Sequence, residues 1–165
     1  MARGERHEKA VRDFVTGKYH WAQAVLLGLK EQGWKVPQEL VRAATSFGGG
    51  VALSKDLCGC LSAAAMAVGL VHGSTEPTGT APRPAYARTK AVLDAFRQRF
   101  GTLRCGELTA PWAHDFAHRD RAYRCGELVR FTLERLEEVL GAPQEAPEWQ
   151  EGWWDDYLAR RDRVE

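Results

Sequence analysis

Residues 47–73 read FGGGVALSKDLCGCLSAAAMAVGLVHG, and this stretch decides how the rest of the chain is organised. The three glycines at 48–50 indicate a loop whose backbone can closely approach a neighbouring segment or a cofactor. The alanine-rich run after Cys58 predicts a thin helix at the centre of the fold, with Asp56 as its N-cap. Free N–H groups at that helix start favour the thiolate form of Cys58. The alternative is a tight core helix in which the cysteines are small buried hydrophobes.

The composition is that of one ordinary globular domain. The chain has 165 residues, of which 44% are hydrophobic and 27% are charged. Its 23 Lys and Arg against 22 Asp and Glu give a net charge of +1, which offers no electrostatic basis for binding nucleic acid or an anionic membrane. The polar first residues show no secretory signal, and the apolar runs are too short to span a bilayer. We therefore expect a cytoplasmic protein whose four cysteines are ligands or redox thiols.

Helical spacing of apolar residues recurs along the chain, and no strand pattern is present. This predicts an all-α fold, a compact bundle of about five or six helices within a domain at 1–140. Residues 141–148 read as a linker, and 149–165 form an aromatic tail that we expect to dock on its own domain or on a second copy in a homodimer or higher homo-oligomer. The predicted helices outside the central one lie at 5–16, 19–32, 37–46 and 84–100, with a short turn at Cys105 and a long helix to Leu140.

The four cysteines are the candidate site residues, and each is predicted near the start of a helix: Cys58, Cys60, Cys105 and Cys125. A bundle can bring several helix starts to one end, where thiolates could hold an iron–sulfur cluster or a tetrahedral zinc ion. Residues two apart in a helix point about 200° away from each other. Cys58 and Cys60 can therefore face one site only if the chain is still non-helical at Cys58.

The order of these pieces resembles the C_GCAxxG_C_C family of redox-active proteins, whose cysteine-rich helical domain also occurs in split-Soret cytochromes. The resemblance covers roughly residues 7–140 and departs from the family pattern at three positions. Trp21 stands where the family has a cysteine, Cys60 is an additional cysteine, and Ala63 replaces a glycine. The matching pieces are WAQAVLL at 21–27, FGGG at 47–50, CGCLSA at 58–63, Met66, Gly69, Leu70, Cys105 and Cys125.

The resemblance implies that Cys58, Cys105 and Cys125 are cluster ligands, and our reading of the residues adds Cys60 as the fourth. We expect a [2Fe–2S] cluster, with [4Fe–4S] as the other option, and no covalent haem because the attachment motif is missing. If Trp21 caps the site, it would exclude water, and the neighbouring His20 is an alternative ligand. The glycines expected to bring backbone close to the cofactor are Gly48, Gly49, Gly50 and Gly59.

Three functions follow from these residues. The leading hypothesis is an iron–sulfur protein for electron transfer or redox sensing, working with a redox partner protein; no substrate site is recognisable, so a role as an oxidoreductase component stays open. The second is a metal-free thiol–disulfide protein. The third is a zinc-stapled helical interaction module. His114 and His118, four residues apart, could share a helix face and bind metal, although a solvated pair is more typical.

Overall fold

The computed structural model describes residues 3–74, 83–113 and 115–141, and within these ranges the chain is all-α. No strand occurs in them; a single antiparallel bridge joins Leu57 to Arg104. The predicted fold class is therefore confirmed. The α-helices are α1 (Arg3–Val15), α2 (Trp21–Glu31), α3 (Gln38–Ala43), α4 (Gly59–His72), α5 (Arg83–Phe100), α6 (Cys105–Leu108) and α7 (Arg119–Leu140), with 3₁₀ turns at Ala44–Phe47 and Ala110–Trp112.

Helix α4 lies at the centre of the bundle, as its alanine content predicts. It packs against α2, α5 and α7, while α1 packs against α2 and α7. Ala63, Ala64 and Ala67 are fully or almost fully buried, because small side chains let the neighbouring helices approach closely. The first turn of α4 is consequently enclosed by other elements.

The prediction that Asp56 caps α4 is wrong, because Cys58 is the N-cap and the helix begins at Gly59. Asp56 instead makes a backbone hydrogen bond and an ion pair with other parts of the fold. Its backbone N–H donates to the Gly50 carbonyl, and its carboxylate lies 3.1 Å from the guanidinium of Arg104. Cys58 has φ −56° and ψ 132°, so the chain is still non-helical at this residue.

Helix α7 begins earlier than the sequence predicts. It starts at Arg119, which places Cys125 in the second turn and not near the helix start. The ring Nδ1 of His118 accepts a hydrogen bond from the Asp120 N–H and caps the helix. Residues 115–118 lie outside any helix, so the expected shared helix face for His114 and His118 is wrong, and His114 itself lies outside the described residues.

The predicted linker and aromatic tail fall almost entirely outside the described residues, so the docking of 149–165 and the oligomeric state stay predictions. Among the helices that are described, none combines the length and the apolar character needed to cross a membrane.

We predict that Gly59→Ala destabilises the fold by about 1–3 kcal/mol, because a Cβ at this position would collide with the backbone carbonyl of Phe47. Gly69→Ala is the matched control in the same helix, since nothing lies within 4 Å of its Cβ position. It should be neutral or stabilising by up to about 1 kcal/mol. Urea unfolding followed by far-UV circular dichroism measures both, and equal stability of the two variants would contradict the packing described for α4.

Candidate functional site

An antiparallel backbone contact between residues 55–58 and 103–106 brings two cysteines together. The Cys58 N–H donates to the Leu103 carbonyl over 2.9 Å, and the Cys105 N–H donates to the Asp56 carbonyl over 2.6 Å. The Gly106 N–H donates to the carbonyl of Lys55 over 2.9 Å. Cys58 at the cap of α4 and Cys105 at the first residue of α6 are therefore held side by side.

Three of the four cysteines line one small cavity. Cys58 and Cys105 meet Cys125, which α7 contributes from the opposite side. The cavity volume is about 10 Å³, enough for about one water molecule. The remaining walls are the side chains of Trp21, Leu108, Thr109 and Leu128 and the backbone of Gly49, Gly50 and Gly59.

The other two predicted site residues lie off the cavity. Cys60 is fully buried in the first turn of α4, and its thiol donates a hydrogen bond to Cys58. Gly48 lies behind Trp21, where a Cβ would be 3.4 Å from the indole ring. Cys60 therefore belongs to the site through Cys58 alone.

The Cys58–Cys60 pair contains one thiolate-stabilised sulfur and one proton donor. The hydrogen bond from Cys60 lowers the pKa of Cys58, and burial opposes this change. Backbone N–H groups of Cys60 and Leu61 lower that pKa further. The pKa of Cys60 lies well above its usual range, because its proton is held in the shared bond and because the side chain is buried. Cys58 is thus the thiol that ionises first.

The other two cavity thiols stay protonated at neutral pH. Burial raises the pKa of Cys105, and burial raises the pKa of Cys125 to about 11. The indole N–H of Trp21 donates to the Cys125 sulfur and acts in the opposite direction. Positive charge also opposes the burial effect: Lys55 and Arg121 favour the Cys105 thiolate, and Arg121 favours that of Cys125.

The glycine-rich loop forms one wall of the cavity in a left-handed conformation. Five consecutive residues, 49–53, have φ values between 48° and 76°. Three of them are not glycine, and left-handed backbone costs about 1–2 kcal/mol at each such residue. Gly50 cannot be replaced without a shift, because its Cβ would lie 2.8 Å from the Cys105 Cβ. The predicted close approach of backbone is present, and the strain at Val51 and its neighbours is an added feature.

Two further residues belong to this site. Trp21 is the residue that the sequence suggests as a cap of the site, and its indole forms a cavity wall. Arg121 escaped the sequence reasoning although it is only 2% exposed. A signal was available, since Arg121 lies four residues before Cys125 on the apolar stripe of α7. His20 is the exposed N-cap of α2, with its ring stacked on Trp21, and it does not line the cavity.

The cavity thiols have suitable chemistry for iron–sulfur or zinc ligation, but their present arrangement is not that of a ligand shell. Among residues 3–74, 83–113 and 115–141, no group of three or more His, Cys, Asp or Glu side chains is arranged to hold a metal ion. A space for one water molecule is also smaller than a two-iron core. A cluster therefore fits only if the surrounding side chains move.

We predict that Cys60→Ala raises the pKa of Cys58, because the variant lacks the thiol that donates to the thiolate. The pH dependence of iodoacetamide alkylation at Cys58, read by peptide mass spectrometry, measures this pKa. Cys60→Ser is the matched control, since its hydroxyl can still donate and should keep the pKa nearer that of the unmodified chain. An unchanged alkylation profile in Cys60→Ala would contradict the assigned hydrogen bond.

We predict that the unfolding free energy decreases between about pH 9 and 11, because the unfolded-state thiol of Cys125 loses its proton there while the folded-state thiol keeps it. The contribution of Cys125 to the unfolding free energy is therefore fully present below the pKa of the unfolded-state thiol. It is lost as the pH rises towards the pKa of the folded-state thiol. Over this interval the unfolding free energy of Cys125→Ala should decrease by about 2–3 kcal/mol less than that of the unmodified chain. Urea titrations under reducing conditions measure the difference, and parallel pH profiles for the two proteins would show that Cys125 titrates normally.

One of three comparisons with known proteins gives a match. Residues 19–139 match the family model described as "Putative redox-active protein (C_GCAxxG_C_C)". No curated protein and no solved structure matches the chain. The match includes all three cavity cysteines and Trp21, and it confirms the resemblance drawn from the sequence.

Proposed function

Because the chain belongs to the C_GCAxxG_C_C family, we propose that it is a thiol–disulfide redox protein in which Cys58 is the reactive thiolate. The observation that carries this proposal is the meeting of three thiols at one cavity, where a hydrogen bond from Cys60 lowers the pKa of Cys58. A thiolate with other thiols within reach is the arrangement that disulfide exchange requires.

The reaction needs two exchange steps. The Cys58 thiolate attacks one sulfur of a substrate disulfide, which forms a mixed disulfide and releases one substrate thiolate. A second protein thiol then loses its proton to that thiolate or to water and attacks the Cys58 sulfur. This step forms an intramolecular disulfide and releases the second substrate thiolate. Two protein thiols are oxidised and one disulfide is reduced, and a dithiol redox partner protein would restore the starting state.

We assign the second thiol to Cys105 and not to Cys125. Cys105 is tied to the Cys58 segment by backbone hydrogen bonds, so the two sulfurs stay neighbours. The positive charges of Lys55 and Arg121 both favour the thiolate of Cys105. Cys125, with a pKa of about 11, is the poorer nucleophile at neutral pH.

We predict that Cys105→Ser accumulates a mixed disulfide at Cys58 when the protein reacts with hydroxyethyl disulfide, because the resolving thiol is missing. Cys58→Ser should form no adduct. Cys125→Ser is the matched control and should complete the reaction with an intramolecular disulfide. Intact-protein mass spectrometry under anaerobic conditions distinguishes the adduct from the intramolecular disulfide. Adduct accumulation in Cys125→Ser instead would transfer the resolving role to that residue.

The second candidate is an iron–sulfur protein, and the convergence of Cys58, Cys105 and Cys125 supports it. These three thiols would hold the cluster with Cys60 as the fourth ligand, once the side chains around the cavity move. The cluster would supply one-electron chemistry, while the protein would supply burial and backbone N–H groups. The [2Fe–2S] type remains our proposal.

Iron, zinc and acid-labile sulfide determinations on protein purified without oxygen discriminate between these candidates. Stoichiometric iron and sulfide that disappear in Cys58→Ser would favour the cluster over thiol exchange. One zinc ion per chain would favour the helical interaction module. Metal-free protein whose Cys58 still reacts with hydroxyethyl disulfide supports the thiol function.

A further inference from the structure

Arg121 is a buried cation whose guanidinium contacts two aromatic rings. It is 2% exposed, and among the described residues its Nε and Nη2 atoms have no hydrogen-bond acceptor. Within the described part of the chain no carboxylate forms an ion pair with it. Burying a guanidinium without a counter-charge is costly, so an anion that reached its two free donors would be stabilised there.

The two unpartnered groups lie on the same edge of the guanidinium. Nε–H and Nη2–H are parallel donors there, and their spacing matches the two oxygens of a carboxylate. An edge-on fork of this kind recognises a planar anion by two hydrogen bonds. Lysine could supply the charge at this position but not the paired geometry.

The guanidinium lies one indole away from the thiol cavity. Its central carbon is 5.4 Å from the ring of Trp21, whose N–H donates to the Cys125 sulfur. The same carbon also lies 4.1 Å from the ring of Phe116, and the Lys55 ammonium lies 4.0 Å from that ring. Two cations therefore share one aromatic ring beside the thiols.

The acidic side chain next to Lys55 in the chain is already engaged. Asp56, on the segment that carries Lys55, forms its ion pair with Arg104. Phe116 is 39% exposed and belongs to the short connector that precedes α7, so it covers Arg121 without being part of a helix. This side chain would have to move for a ligand to reach the guanidinium from that side.

We propose that Arg121 binds the carboxylate of a small disulfide substrate whose sulfur reacts with Cys58. The proposal rests on the thiol–disulfide function and names its substrate class. Since only one indole separates the cation from the cavity, a suitable substrate has a few carbon atoms between carboxylate and sulfur. Dithiodipropionate has this form, and hydroxyethyl disulfide is its uncharged counterpart.

The test compares the rates at which these two disulfides oxidise the protein. The unmodified chain should prefer dithiodipropionate by about tenfold, the effect of one good charged hydrogen-bonding pair. Arg121→Gln should remove this preference, which is measured as the ratio of the two rates within each variant, because loss of the charge also disfavours the Cys105 thiolate and slows both disulfides alike. Arg121→Lys should keep an intermediate preference. Arg119→Gln is the matched control, because Arg119 is an exposed arginine in the first turn of the same helix.

The outcomes separate the two proposals. Equal rates with both disulfides, or a preference that survives in Arg121→Gln, would overturn the carboxylate site while leaving thiol exchange intact. If neither disulfide reacts, thiol exchange fails, and calorimetry with dithiodipropionate and Cys58→Ser then decides the carboxylate site alone. If dithiodipropionate binds to Cys58→Ser and this binding is lost when Arg121→Gln is added, the result supports the carboxylate site. If dithiodipropionate does not bind to Cys58→Ser, the carboxylate site is overturned.

Discussion

The whole site depends on the antiparallel pairing of residues 55–58 with 103–106. Buried backbone N–H and carbonyl groups must find partners, and in this region each segment supplies them to the other. The pairing holds Cys58 out of helical conformation immediately before α4 and places Cys105 at the first residue of α6. Cys125 joins them because α7 packs across α4. Without this pairing, Cys58 and Cys105 would be joined only by the long stretch of chain between them.

Two opposing electrostatic effects act on the thiols. Burial favours the neutral form of all four, whereas hydrogen bonds and nearby cations favour the thiolates. At Cys58 the hydrogen bonds prevail, and at Cys125 burial prevails. The site therefore contains thiols of graded acidity within one small volume. Such a gradient would give the cysteines different roles in the proposed thiol exchange.

The helical architecture and much of the site could be predicted from the sequence, because both follow from local patterns. Apolar periodicity predicted the bundle, and the alanine content of residues 59–72 predicted a central helix. Helix boundaries depended on tertiary contacts instead. Asp56 has good capping chemistry, but its backbone is occupied by the pairing with Cys105. Arg121 was not predicted as a site residue, because its burial and its neighbours follow from the tertiary structure and not from its position on an apolar stripe.

The left-handed segment at 49–53 has a thermodynamic consequence for access to the buried sulfurs. Val51, Ala52 and Leu53 hold backbone conformations that are unfavourable for side chains with a Cβ, so the closed loop is raised in energy relative to an extended one. This strain lowers the additional free energy that is needed to open the loop and uncover Cys58. An excursion of this loop would therefore cost less free energy than one of an unstrained loop, and it would move the cavity wall formed by Gly49 and Gly50 while the helices around α4 remain packed.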